Sequence, residues 1–149
     1  MEQHIKFMKE ALKLAQRAMD NGDEPFGAIL VKDNIIVATS ENSIMSMSDP
    51  TKHAELKLIS DYTQKMQIRD LSEYTMYTSC EPCFMCSGAT VWAHLGCLVY
   101  SASSSDLNAI IDEKLFSSSE IVYEHSHHQP KVVKNVLQDE GITILKSYF

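Results

Sequence analysis

The run from Glu73 to Ser101 constrains this chain more than any other part of it. Glu73 to Thr78 reads as a strand, Pro82 opens a helix that lasts to His94, and Cys97 to Ser101 reads as another strand. A crossover of this kind is right-handed, so the two strands lie parallel in one sheet. At 149 residues the chain has the length of one domain, residues 1–149, and enough apolar side chains to bury a core without disulfides.

Flanking segments extend an α/β pattern. Met8, Ala11, Leu12, Ala15, Ala18 and Met19 recur at three- and four-residue steps and predict a helix from Gln3 to Asn21, stopped at Asn21-Gly22. Ala28 to Lys32 and Ile35 to Thr39 flank Asp33-Asn34, which predicts a hairpin whose arms are too apolar for a surface ribbon. Asn42 to Pro50 reads as a loop. Asp49-Pro50 then offers an N-cap and a first-turn proline for a helix to about Tyr62, with Leu56, Leu58 and Ile59 on its stripe. Asp106 to Asp112 predicts a short helix and Glu120 to His125 a fifth strand. The chain from Val132 to Phe149 is expected to end in a helix, although Gly141 before Ile142-Thr143-Ile144 also fits a strand. Ser103 to Ser105 and Ser117 to Ser119 read as loops.

Four cysteines, Cys80, Cys83, Cys86 and Cys97, fall within one short stretch. The apolar runs are too short for a membrane span, and the first residues lack the apolar core of a signal peptide, so a cytoplasmic location is expected. There, thiols bind metals in preference to pairing. Cys83 and Cys86, three residues apart at a helix start, face the same way, and the His53 imidazole from another helix makes a third zinc ligand. Three protein ligands leave a position for water, the mark of a catalytic zinc. Residues two apart diverge on a helix, so His53 and Glu55 serve one site only at a helix N-terminus. The positive ends of two helices would then favour the thiolates. Cys80 reads as a buried thiol and Cys97 as core.

His53-Ala54-Glu55 followed by Pro82-Cys83-Phe84-Met85-Cys86 matches the H-x-E and P-C-x-x-C signature of zinc nucleobase deaminases. Pro25-Phe26-Gly27-Ala28, Asn42, Asp49-Pro50-Thr51 and Tyr77-Thr78-Ser79-Cys80-Glu81 widen the match to most of Pro25 to Tyr100. Together they resemble the guanine deaminase and tRNA adenosine deaminase branch of the cytidine deaminase superfamily. The resemblance implies a three-layer α/β/α sandwich around a mixed, roughly five-stranded sheet, with Zn2+ on His53, Cys83 and Cys86. It implies hydrolytic deamination in which Glu55, not a ligand, takes a proton from zinc-activated water and returns protons to the ring nitrogen and the leaving ammonia. It further implies a base held by Asn42 and walled by Phe26 and Trp92, an acidic contact from Asp112 or Glu113, and a homodimer with the zinc helices near its interface. Val91-Trp92-Ala93 resembles bacterial guanine deaminases, and Ser101 to Ser105 stands where the tRNA enzymes carry an Ala-Arg-Asp and Lys-Thr-Gly-Ala run. Guanine to xanthine is therefore the expected reaction.

Thirteen Lys and Arg against twenty Asp and Glu give a net charge of −7, a field that repels a phosphate backbone. The expected partner is a small nucleobase, not a nucleic acid or a membrane. The alternatives are a tRNA adenosine deaminase, a deaminase of cytosine, isocytosine or a related heterocycle, and a closed zinc-binding interaction module. His125, His127 and His128 have no cysteine or carboxylate in ligand order and read as bystanders.

Overall fold

In the computed structural model, which describes residues 1–149, α1 spans Glu2–Asp20, β1 Gly27–Lys32, β2 Ile35–Glu41, α2 Ile44–Met47, α3 Ala54–Met66 and β3 Thr75–Cys80. There follow α4 at Phe84–Trp92, β4 at Cys97–Ala102, α5 at Ser104–Ile111, α6 at Glu120–Glu124, β5 at Lys131–Val133 and α7 at Gln138–Tyr148. The strands form one sheet in the order β2-β1-β3-β4-β5. β1 is antiparallel to β2 and β3, whereas β3, β4 and β5 run parallel, so the β3–α4–β4 run makes the expected crossover.

Alternation along the strands feeds two cores, one on each face. Ile29, Val31, Tyr77 and Val99 pack against Phe7, Met8, Ala11 and Leu12 of α1. Their neighbours Ala28, Leu30, Met76, Leu98 and Tyr100 face the other way, onto Leu58, Ile59 and Tyr62 of α3, Val91 of α4 and Tyr123 of α6. Gly27 lets α1 ride directly over the start of β1, since a Cβ there would stand 2.5 Å from both Ala11 O and Ala15 N. Asp33 and Asn34, with φ of 52° and 62°, close the expected two-residue hairpin.

The structure departs from the sequence reading in several places. Asn42 to Pro50, read as a loop, holds the short helix α2 at Ile44–Met47, and Ser103 to Ser105, also read as a loop, caps and begins α5 through a capping box between Ser103 and Asp106. β2 is a sheet edge, and its Ile35, Ile36 and Val37 are exposed in spite of their apolarity. The helix expected from Asp49-Pro50 starts later, at Ala54, because the Asp49 carboxylate accepts from the backbone and hydroxyl of Thr51, at 2.8 and 2.7 Å, and closes a turn there. Glu120 to His125 is the helix α6 and not a strand: adjacent Val122 and Tyr123 both pack inward, which a strand's alternation forbids, and the Tyr123 hydroxyl meets Thr90 Oγ1 at 2.9 Å. The fifth strand is Lys131–Val133. The chain ends in a helix, as expected. Gly141 marks a close approach within it: a Cβ there would stand 2.4 Å from Ser101 Oγ on β4. No helix is long and apolar enough to cross a membrane.

Candidate active site

Two helix starts converge beyond the ends of β1, β2 and β3. His53 is the N-cap of α3, and Glu55 is that helix's second residue, which resolves the divergence of residues two apart, since a cap lies outside the helical spiral. Cys83 is the N-cap of α4, and Cys86 sits three residues on within its first turn. His53 Nδ1 lies 3.5 Å from Cys83 Sγ, and the ligand atoms of His53, Cys83 and Cys86 all lie within 4.8 Å of one another.

This donor set fits zinc. Ligands at about 2.0–2.3 Å around a tetrahedral ion stand roughly 3.5–3.8 Å apart, the separation His53 and Cys83 already have. A hydrogen bond from the Cys86 thiol holds Cys83 down to about 4, against the opposing effect of burial and with help from His53. The Cys83 thiolate in turn raises both the His53 imidazole and the Cys86 thiol. Binding of a divalent cation here would release the proton that the two sulfurs share. Cys80 is outside the set, and burial keeps it a thiol.

His53, Cys83 and Cys86 would hold a zinc ion, whose Lewis acidity would acidify a water. Glu55 stands beside this donor set. It is 5% exposed, opens on the same cavity and lies outside the donor set. Burial pushes its carboxyl up to about 7, and the Cys83 charge adds to this. A carboxyl titrating near neutrality both accepts and donates, as the two proton deliveries of a hydrolytic deamination require.

The cavity over these residues has a volume of about 160 Å3. Phe26 and Asn42 line it. Asn42 is 1% exposed, and its Oδ1 accepts from the Ile44 backbone N–H at 3.0 Å, which leaves the Nδ2 donor uncommitted. The other expected contacts lie elsewhere. Trp92, the last residue of α4, is 80% exposed and well removed along the helix from Cys83. Asp112 and Glu113 line a separate open depression that shares only Phe116 and Ser117 with the cavity, because α5 ends at Ile111 and Asp112 turns the chain with φ 55°.

Glu24, Glu81, Leu107 and Phe149 also line the cavity and were not singled out from the sequence as site residues. No Lys or Arg is among the lining residues. Glu81 stood next to Pro82-Cys83, a position that invited attention, but its partners are serines distant in sequence. Glu24 and Phe149 carried no local signal.

Residues 1–102 match the family model for the cytidine and deoxycytidylate deaminase zinc-binding region, and the chain belongs to that family. It is 32% identical over 153 residues to a probable cytosine deaminase of Schizosaccharomyces pombe, covering 99% of this chain and 93% of that one. Over 145 residues it is 34% identical to a tRNA-specific adenosine deaminase of Buchnera aphidicola, covering 96% and 91% of the two chains. The solved guanine deaminase of Nitrosomonas europaea shares its fold with a TM-score of 0.85 at 25% identity, over 97% of this chain and 83% of that one. The chain is a zinc-dependent hydrolytic deaminase acting on a nucleobase or nucleoside.

Proposed function

We propose that the substrate is a free purine base, guanine first, hydrolysed to xanthine and ammonia. The lining of the cavity carries this reading: three carboxylates, Glu24, Glu55 and Glu81, and no cationic side chain to receive a phosphate. The net charge of −7 supports the same choice over an RNA loop. At about 160 Å3 the cavity is below the roughly 300–1,000 Å3 of sites for drug-sized ligands, which suits a bare ring. Phe26 packs on one face of the ring, and Asn42 donates from Nδ2 to an acceptor on its edge. His53, Cys83 and Cys86 hold zinc, and Glu55 moves the protons.

Two copies associate in this reading. Phe84, Gly88 and Trp92 lie four residues apart along α4, with Phe84 and Trp92 exposed, and Met45 and Met47 of α2 are exposed as well. Trp92 acts across that interface. The thiolate ligands require a reducing compartment, consistent with the cytoplasm.

The test is ammonia release from a panel of guanine, adenine, cytosine, isocytosine, their nucleosides and a tRNA anticodon stem-loop. Guanine is expected to give the highest kcat/KM. Turnover of the stem-loop alone, with steep salt dependence, contradicts the reading. Turnover of cytosine alone keeps the chemistry and discards the purine.

A further inference from the structure

Of the three carboxylates in the cavity, two are committed. Glu55 is buried beside the metal ligands, and both oxygens of Glu81 are taken by serines. Glu24 is the third. It is half-buried, its charge reaches His53, and the chain's four ion pairs all lie elsewhere. Its backbone is held firmly. The preceding Asp23 donates its N–H to Ala18 O and accepts from the N–H groups of Met45 and Ser46, each at 2.9 Å. The following Pro25 is buried, and the Phe26 N–H donates to Glu24 O at 2.8 Å. A fixed backbone thus places an unpaired, partly exposed glutamate on the lining of a small cavity.

We propose that Glu24 is a specificity residue: it accepts a hydrogen bond from a ring N–H of the substrate at the cavity mouth. This rests on the purine reading above. With the amine-bearing carbon of guanine at the Glu55 end, the imidazole edge of the base points outward. In the free base that edge carries an N–H. In a nucleoside the nitrogen is glycosylated and offers no donor, and in a nucleotide the added phosphate meets a carboxylate with no cation nearby. One carboxylate therefore selects the free base against both, because a charged acceptor left facing an alkylated nitrogen loses its partner and keeps its desolvation cost.

The experiment compares guanine with 9-methylguanine, guanosine and GMP, in wild type, Glu24→Ala and Glu24→Gln, with zinc content and melting temperature measured in each. Wild type is expected to favour guanine over 9-methylguanine by about tenfold or more in kcat/KM. Glu24→Ala should collapse that preference, through a higher KM for guanine and an unchanged or lower one for 9-methylguanine. Glu24→Gln, which keeps an acceptor without the charge, should fall between. A preference unchanged in Glu24→Ala, or an equal loss for both substrates, overturns the assignment while leaving the purine reading intact. Failure of wild type to release ammonia from guanine overturns the purine reading and this assignment with it.

Discussion

Ser119 gives both its backbone N–H and its hydroxyl to Glu81 Oε2, at 2.8 and 2.6 Å. The Ser118 hydroxyl reaches the same oxygen at 3.1 Å, and Ser104 gives its N–H and hydroxyl to Oε1 at 2.9 and 3.0 Å. Glu81 sits between β3 and the Cys83 cap, so one carboxylate ties residues 104–119, with Leu107 and Phe116 on the cavity wall, to the metal-ligand helix. Glu81→Gln turns an amide donor toward these donors. It should cost about 1–3 kcal/mol of stability and raise KM about tenfold, with zinc content unchanged. Steady-state kinetics beside metal analysis checks this; a lower kcat at constant KM would argue against a role in shaping the wall.

Those serines bear on what the sequence revealed. The meeting of His53, Cys83 and Cys86, with Glu55 beside them, is legible because a local spacing on two helix starts carries it, and Pro82 marks one start directly. The runs Ser103 to Ser105 and Ser117 to Ser119 read as plain loops, since nothing local says that hydroxyls so far apart share one buried carboxylate. α6 is hidden in the sequence for a related reason: a short apolar run fits either period, and the inward pairing of Val122 with Tyr123 is set by α4 and the sheet. Asn42 and Phe26 came through family resemblance, whereas Glu24 and Phe149 reach the cavity by tertiary packing alone.

Acid should weaken the loop that leads from Asn42. Burial acts to raise the Asp23 carboxyl, but hydrogen bonds from Ser46 and Met45 outweigh it, with Lys57 adding, and hold it below the usual range. A carboxyl depressed in the folded state contributes stability above its unfolded value of about 3.9 and loses it as pH falls further. Asp23→Asn should therefore melt lower than wild type at pH 7 by about 1 kcal/mol, and the gap should narrow below about pH 4. Melting curves across pH test it, and a constant gap would contradict it.

Gly27 is a close contact between α1 and the sheet. Gly27→Ala forces a methyl to within 2.5 Å of backbone atoms on α1, where no side chain can yield. The expected loss is about 1–3 kcal/mol or more, read from denaturant midpoints at unchanged slope. A variant as stable as wild type would show that α1 shifts freely.

Gly88 separates folding from assembly. A Cβ there meets nothing within 4 Å beyond its own stretch of helix, so the single subunit has room for the start of a side chain in Gly88→Glu. It places a charge between Phe84 and Trp92 on the proposed interface. Light scattering should report a dimer for wild type and a smaller species for Gly88→Glu, at equal zinc content. A wild-type monomer at micromolar concentration would refute the interface.

Glu55→Gln tests the central claim, that a buried carboxylate outside the metal set moves the protons. The measurement is ammonia release from guanine with zinc counted in the same samples. Both proteins are expected to carry about one zinc per chain, and the variant to lose at least about a hundredfold in kcat. Wild-type turnover retained by Glu55→Gln, or loss of zinc along with activity, would contradict it.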